Sequence, residues 1–243
     1  MRKRPVCIYV DNSNIYIGGQ EVAKHFHEDP AQLRLAFENF LALITQGQEF
    51  DELVWAGSGP PELEEIFKNI VARGVELLLI PRSATGENET VDQALQLAMY
   101  RHHRKYRNRP GTIVLCTGDG KGFHEEKGFL WDVQGFIEDG WTLDLYSWDS
   151  ACHNGLKRFA KKHGKYVPLE DYYASITFQK NGRHVVPLNK ARRKAPPAPP
   201  RKTAAQKRTK VAPVVKKTSR KENPPVPPRP RRTSTAGRMR PGL

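Results

Sequence analysis

The sequence predicts an α/β fold: a parallel sheet flanked by helices, followed by a C-terminal β-hairpin and a disordered basic tail. Three observations carry this. Short apolar runs alternate with helical patterns over residues 6–148, the signature of strands that lie parallel and are covered on both faces. Ser175-Ile176-Thr177-Phe178 and His184-Val185-Val186 flank Asn181-Gly182, a turn pair that favours hairpins. From Lys190 onward the composition turns to proline and paired basic residues. The expected division is therefore 1–189 for the folded domain with its hairpin and 190–243 for the tail.

Val6-Cys7-Ile8-Tyr9-Val10 reads as a buried strand that stops at Asp11-Asn12-Ser13-Asn14. Asp29-Pro30 is a cap followed by a first-turn proline. Leu33, Phe37, Phe40, Leu41 and Ile44 follow at spacings of three or four, so the pattern predicts one helix with an apolar face. Leu53-Val54-Trp55 is a second strand. A helix after Pro60-Pro61 ends near Gly74, a C-terminal signal, and residues 75–80 form a third strand. Residues 90–107 have helical spacing, with Val91, Leu95, Ala98 and Met99 on one side. Residues 112–116 are a fourth strand, 129–137 a helix and 142–148 a fifth strand.

The formal net charge is +14, from 40 Lys and Arg against 26 Asp and Glu. Residues 190–243 hold 18 of the basic residues and one acid, Glu222, a net of +17. Residues 1–189 hold 22 basic and 25 acidic residues, a net of −3, so the tail supplies the whole positive balance. Such a tail binds phosphate backbones without sequence preference, which makes RNA the expected partner. Its proline runs, including Pro227-Pro228-Arg229-Pro230, also suit docking on aromatic grooves of a protein partner. The tail has too little apolar surface to offset its ordering entropy. Cys7, Cys116 and Cys152 show no metal-ligand spacing, and an odd, sparse set argues against a disulfide framework. A reducing, cytoplasmic setting is expected. The apolar run after Met1-Arg2-Lys3-Arg4-Pro5 is too short for a signal peptide, and no stretch approaches the length of a membrane span.

Asp11 falls just after the first strand and Asp119 just after the fourth, while Asp92 opens a helix. In parallel sheets, sites form outside the carboxyl ends of the strands. Carboxylates gathered there repel one another unless a cation neutralises them. Mg²⁺ or Mn²⁺ takes oxygen ligands, and such a site can activate water for phosphodiester hydrolysis. The alternative is that Asp11 and Asp119 only cap the turns and helices that follow them.

Three short motifs then stand in order. Tyr9-Val10-Asp11-Asn12-Ser13-Asn14, Thr90-Val91-Asp92-Gln93-Ala94-Leu95 and Thr117-Gly118-Asp119-Gly120 resemble the motifs of the NYN domain family, within the PIN-like nuclease group. Gly140-Trp141 and Ser147-Trp148, around the last expected strand, fit as well, and the resemblance covers roughly residues 5–160. It implies a PIN-like fold and a metal-dependent ribonuclease, with Asp11, Asp92 and Asp119 as metal ligands and catalytic carboxylates. Asn14 would orient Asp11 or the scissile phosphate, and Thr117 with the amides near Gly118 and Gly120 would shape the site. The chain departs from the family's fullest pattern at Lys121 and Ala98, where many members carry Asp. Glu89, Glu125 or Glu126 are candidate substitutes, and Lys121 is instead a candidate phosphate contact. The departures keep a second expectation open, a catalytically weak or inactive NYN-fold RNA-binding or adaptor protein.

Other signals have simpler readings. Gly57-Ser58-Gly59-Pro60-Pro61 lacks the phosphate-loop lysine and reads as a plain loop. His102-His103-Arg104-Lys105 suits a solvated helix C-terminus. Trp131, Trp141 and Trp148 are expected in the core, and Tyr172 and Tyr173 in packing.

Overall fold

The computed structural model describes residues 3–58, 71–80, 89–120 and 127–188, with the side chains of residues 58 and 89 excepted. Strands β1 (Val6–Asp11), β3 (Glu52–Ser58), β4 (Glu76–Ile80), β5 (Thr112–Cys116), β6 (Thr142–Ser147) and β7 (Gly164–Pro168) form one sheet in the order β4-β3-β1-β5-β6-β7. Every neighbouring pair is parallel. The chain winds outward from β1 through β3 to β4, then returns to β5 on the other side of β1. The order therefore reverses between β1 and β5, and ligands of open α/β sheets bind at such a reversal, beyond the carboxyl ends of the strands.

Alternation along the strands sorts their side chains between two cores. Ile8 and Val10, Leu53 and Trp55, and Val114 and Cys116 face one side. There they meet Ile15 and Val22 of α1 (Asn12–His25) and Phe40 and Ile44 of α2 (Phe37–Thr45). Cys7 and Tyr9, Val54 and Ala56, and Ile113 and Leu115 face the other side. Their partners are Leu95 of α3 (Glu89–Lys105), Val133 of α4 (Phe129–Glu138) and Leu156 of α5 (Asn154–His163). Each buried Val, Leu, Ile or Phe among them contributes about 1.5–3 kcal/mol of hydrophobic stabilisation.

Helix α1 leaves β1 without a loop: Asp11 is both the last strand residue and the helix cap. Gly18 and Gly19 lie inside it. A Cβ at Gly18 would stand 2.5 Å from Trp148 Cδ1, and one at Gly19 would stand 3.3 Å from Trp148 Cζ2. The two glycines let the indole lie flat against the helix, where its Nε1 donates to Ile15 O at 2.7 Å. Trp148, at the end of β6, thus pins α1 over the carboxyl edge of the sheet.

The segment after Asp29-Pro30 differs from the expected helix. Asp29 does accept the Ala31 amide, but the helical turn is limited to Pro30–Gln32. Leu33–Leu35 then forms strand β2, and the helix proper begins at Phe37. The sequence Leu-Arg-Leu buries both leucines at a spacing of two, a strand pattern, and β2 pairs antiparallel with β8 (Thr177–Gln179).

The expected C-terminal hairpin is not seen as a pair of strands. A turn does form at Asn181-Gly182, with Gln179 N donating to Arg183 O, but His184-Val185-Val186 is not a strand. Arg183 Nη1 donates to Thr177 O at 2.7 Å, taking the acceptor that a second hairpin strand would use. Before β8 the chain makes a 3₁₀ turn (Leu169–Tyr172) and helix α6 (Tyr173–Ile176). Glu28 holds this segment down. Its Oε1 accepts from Arg183 Nε at 2.6 Å, and its Oε2 accepts from Tyr173 Oη at 2.7 Å, Gln179 Nε2 at 2.9 Å and Arg183 Nη2 at 3.1 Å.

The helix expected after Pro60-Pro61 lies mostly outside the described residues. Its end is visible, with Gly74 at φ 83°. The tail expected at 190–243 also lies outside them. Cys7, Cys116 and Cys152 are buried and free. Trp141 and Trp148 are core residues, whereas Trp131 is exposed. Tyr173 is buried and stacks on Phe26. The His102-His103 pair is a correction to the solvated-helix expectation. His102 is buried, bonded through Nδ1 to Tyr9 Oη at 3.1 Å and facing Glu52 through Nε2 at 3.5 Å. His103 bonds Asp139 and stacks on Phe136.

Candidate active site

The carboxyl ends of β1 and β5 meet at the strand-order reversal, and hydrogen bonds join them there. Asp11 is only 3% exposed. Its Oδ1 accepts the Asn14 amide at 3.0 Å, capping α1, and its Oδ2 accepts the Thr117 hydroxyl at 2.9 Å. Thr117 Oγ1 in turn accepts the Asp119 amide at 3.2 Å. Asn14 Oδ1 accepts the Gly118 amide at 2.7 Å. The Asp11-to-Asn14 corner and the Thr117-Gly118-Asp119 loop are therefore one hydrogen-bonded unit. Gly118 leaves little room for a side chain, because a Cβ there would stand 3.0 Å from Ser147 Oγ and 3.2 Å from Asn14 Oδ1, and both would have to give way slightly.

Burial raises the Asp11 carboxyl to about 6, and the nearby Asp119 charge pushes the same way. The Asn14 amide and Thr117 hydroxyl favour its charged form and oppose that rise. The unit thus concentrates negative charge where water is excluded, the condition under which a cation is most strongly attracted. Asp119 itself is half-buried.

Of the residues expected in the site, Asp11, Asn14, Thr117 and Asp119 are brought together. Asp92 is half-buried in the first turn of α3. Among the described residues, no three His, Cys, Asp or Glu side chains form a group that would hold a metal ion. Lys121, Glu125 and Glu126, and the side chain of Glu89, lie outside them. Ala98 is fully buried in the core beneath α3, so an acidic residue at that place would not face the site. The two acidic side chains of the unit offer carboxylate oxygen, a donor that suits Mg²⁺ or Mn²⁺. Mg²⁺ is commonly held by one or two carboxylates with waters and substrate phosphate filling the remaining positions.

No protein-family model matches the chain, and no curated protein matches it. Among solved structures, a Vibrio parahaemolyticus protein of unknown function is similar at 14% identity with a TM-score of 0.46, over 69% of this chain and 95% of that one.

His153 joins the site from a segment the motifs do not reach. Its amide donates to Gly118 O at 2.9 Å. Its ring lies over Gly120, where a Cβ would come within 2.6 Å of His153 Nδ1. The residue also caps α5, since Nδ1 accepts the Gly155 amide at 3.2 Å. The signal for it in the sequence is the Gly-x-Gly of residues 118–120, which demands a close neighbour without saying which.

Proposed function

We propose that the protein is a divalent-metal-dependent ribonuclease of the NYN type. The observation that carries this reading is the buried Asp11 carboxyl, bonded to the loop that holds Asp119 and raised toward neutrality with Asp119's charge contributing. Asp11 and Asp119 would hold Mg²⁺ or Mn²⁺, with Asp92 completing the set as the family resemblance implies. A bound cation would supply a Lewis acid for the phosphate and lower the pKa of an attacking water.

The chain's own residues do the positioning. The Thr117 hydroxyl and the Asn14 amide fix both oxygens of Asp11, so that carboxylate needs no reorganisation when a cation or substrate arrives. Asn14 spends its Oδ1 on the Gly118 amide, which fixes its orientation and leaves Nδ2 as the end that would donate to a phosphate oxygen. The basic tail would bind RNA through its phosphates, and its proline runs would suit a protein partner. Among the described residues, no helix is long and apolar enough to cross a membrane.

One observation favours a second reading. Both Asp11 oxygens already serve as the α1 cap and the Thr117 acceptor, as they would in an inactive RNA-binding or adaptor protein. Incubating the full chain with mixed single-stranded and hairpin RNAs, with Mn²⁺ or with EDTA, separates the two. The nuclease reading expects cleavage with Mn²⁺ and none in EDTA. Binding without cleavage under both conditions would establish the adaptor.

A further inference from the structure

We propose that His153 is a phosphate-contacting residue of this site and that helix α5 carries the RNA strand away from it. The inference rests on the nuclease reading for the identity of its substrate. Three facts about His153 converge. Its backbone is tied to the Asp119 loop through Gly118 O. Its Nδ1, Cβ and Cγ edge is packed over Gly120, the residue after Asp119. Its side chain is nonetheless exposed.

The ring's hydrogen-bonding state follows from the cap. Nδ1 accepts from the Gly155 amide, so the neutral ring carries its hydrogen on Nε2. Nε2 lies across the ring from the edge that touches Gly120. The loop that carries Asp119 therefore has an N–H donor next to it, on a ring held by both packing and a hydrogen bond. The Asp11 and Asp119 charges repel an anionic substrate, and a donor at this place offsets that repulsion for one phosphate oxygen.

The helix that His153 caps extends this contact. Asn154, Arg158, Lys161 and Lys162 are all exposed. They recur at helical spacing, forming one stripe about 12 Å long that starts at His153. Lys157 and Lys161 are occupied differently: both lie over the Tyr166 ring, and Lys157 also bonds Asp149. Arg158 and Lys162 are thus the charges best placed for phosphates that flank the one at His153. Arg in particular matches phosphate with a planar fork of donors.

The test uses the full chain and two kinds of variant. His153→Ser keeps a side-chain cap for α5 but removes the outward donor, whereas His153→Gln retains a donor. His153→Ser is expected to raise KM for a short oligoribonucleotide about tenfold with kcat nearly unchanged, and His153→Gln to recover part of that loss. In parallel, a non-cleavable 2′-O-methyl oligonucleotide is titrated across a salt series. Arg158→Gln with Lys162→Gln should lower the salt slope by about 1.4, roughly 0.7 for each lost phosphate contact. In ¹⁵N-histidine-labelled protein, the same oligonucleotide should shift the His153 Nε2 signal. A wild-type chain that does not cleave RNA sinks the nuclease reading, while the salt slope and the ¹⁵N signal still decide the contact. Unchanged KM in His153→Ser, or an unmoved Nε2 signal with an unchanged salt slope, overturns the inference.

Discussion

Glu28 offers the sharpest test of how the C-terminal segment is held. Its carboxylate accepts four hydrogen bonds, two of them from Arg183, and both side chains are less than a quarter exposed, at 19% and 23%. Glu28→Gln changes the shape little. If the amide oxygen serves the three donors now on Oε2, the new NH₂ faces Arg183 Nε across the present 2.6 Å contact. Turned the other way, the NH₂ meets three donors instead. Losing the charge and at least one charge-assisted bond costs about 2–3 kcal/mol. For a domain of this size that lowers Tm by about 4–12 °C. The difference should depend on pH. Burial alone would raise the Glu28 carboxyl, but the bonds from Arg183, Tyr173 and Gln179 outweigh it and hold the group below its usual value of 4.5. A depressed folded pKa gives stability that is present above the unfolded value and is lost as pH falls through the folded one. Denaturant melts of wild type and Glu28→Gln from neutral to acidic pH should therefore show a gap that is constant above about 4.5 and closes below it. A gap that persists unchanged at low pH would refute the reasoning.

Other perturbations probe separate parts of the molecule. Gly18→Ala should destabilise by about 1–3 kcal/mol in thermal melts, because its Cβ would stand 2.5 Å from Trp148 Cδ1; helix propensity alone predicts a gain, so the sign decides. Truncation after Asn189 should leave the melting transition in place while weakening RNA affinity and flattening its salt dependence, since 18 Lys and Arg are removed with the tail; equal salt slopes would remove the tail from RNA binding. Lys121→Asp should tighten Mn²⁺ binding by adding an oxygen ligand; an unchanged dissociation constant would place Lys121 away from the cation.

The parts of the fold legible in the sequence are those whose local pattern and tertiary role agree. The central strands are short apolar runs buried on both faces, and β1, β3 and β5 stand close to where those runs predict. Helix α1 is not legible because Gly18-Gly19 interrupts its pattern, and the reason for them is Trp148, distant in sequence. Strand β7 is an edge strand with no fully buried residue, so Gly164-Lys165-Tyr166-Val167-Pro168 carries little strand signal. Asn181-Gly182 does make its turn, but the Arg183 guanidinium takes the Thr177 carbonyl that a second hairpin strand would have used. The His102 face of α3 looks solvated because nothing local announces Tyr9 and Glu52 beneath it. The motifs contain the residues that hydrogen bonds join, because Asp11 ends β1, Asn14 lies in the helical turn that follows it, and Thr117 and Asp119 follow β5. The reversal that brings those ends together depends on strand order, which no single motif encodes. His153 enters from the loop after β6, and only the packing against Gly120 reveals it.

The central claim is that Asp11 and Asp119 share one cation. Mn²⁺ titration of the full chain, followed by the electron paramagnetic resonance signal of the free ion, tests it most directly. Asp119→Asn keeps the size of the side chain and deletes its charge, and Asp11→Asn retains an acceptor for the Asn14 amide. The account predicts saturable Mn²⁺ uptake by the wild type and a loss of affinity of about tenfold or more in either variant. The double variant should lose hardly more than the worse single one, because groups that serve one ion are not additive. Equal uptake by wild type and Asp119→Asn, or no uptake by the wild type, would contradict it.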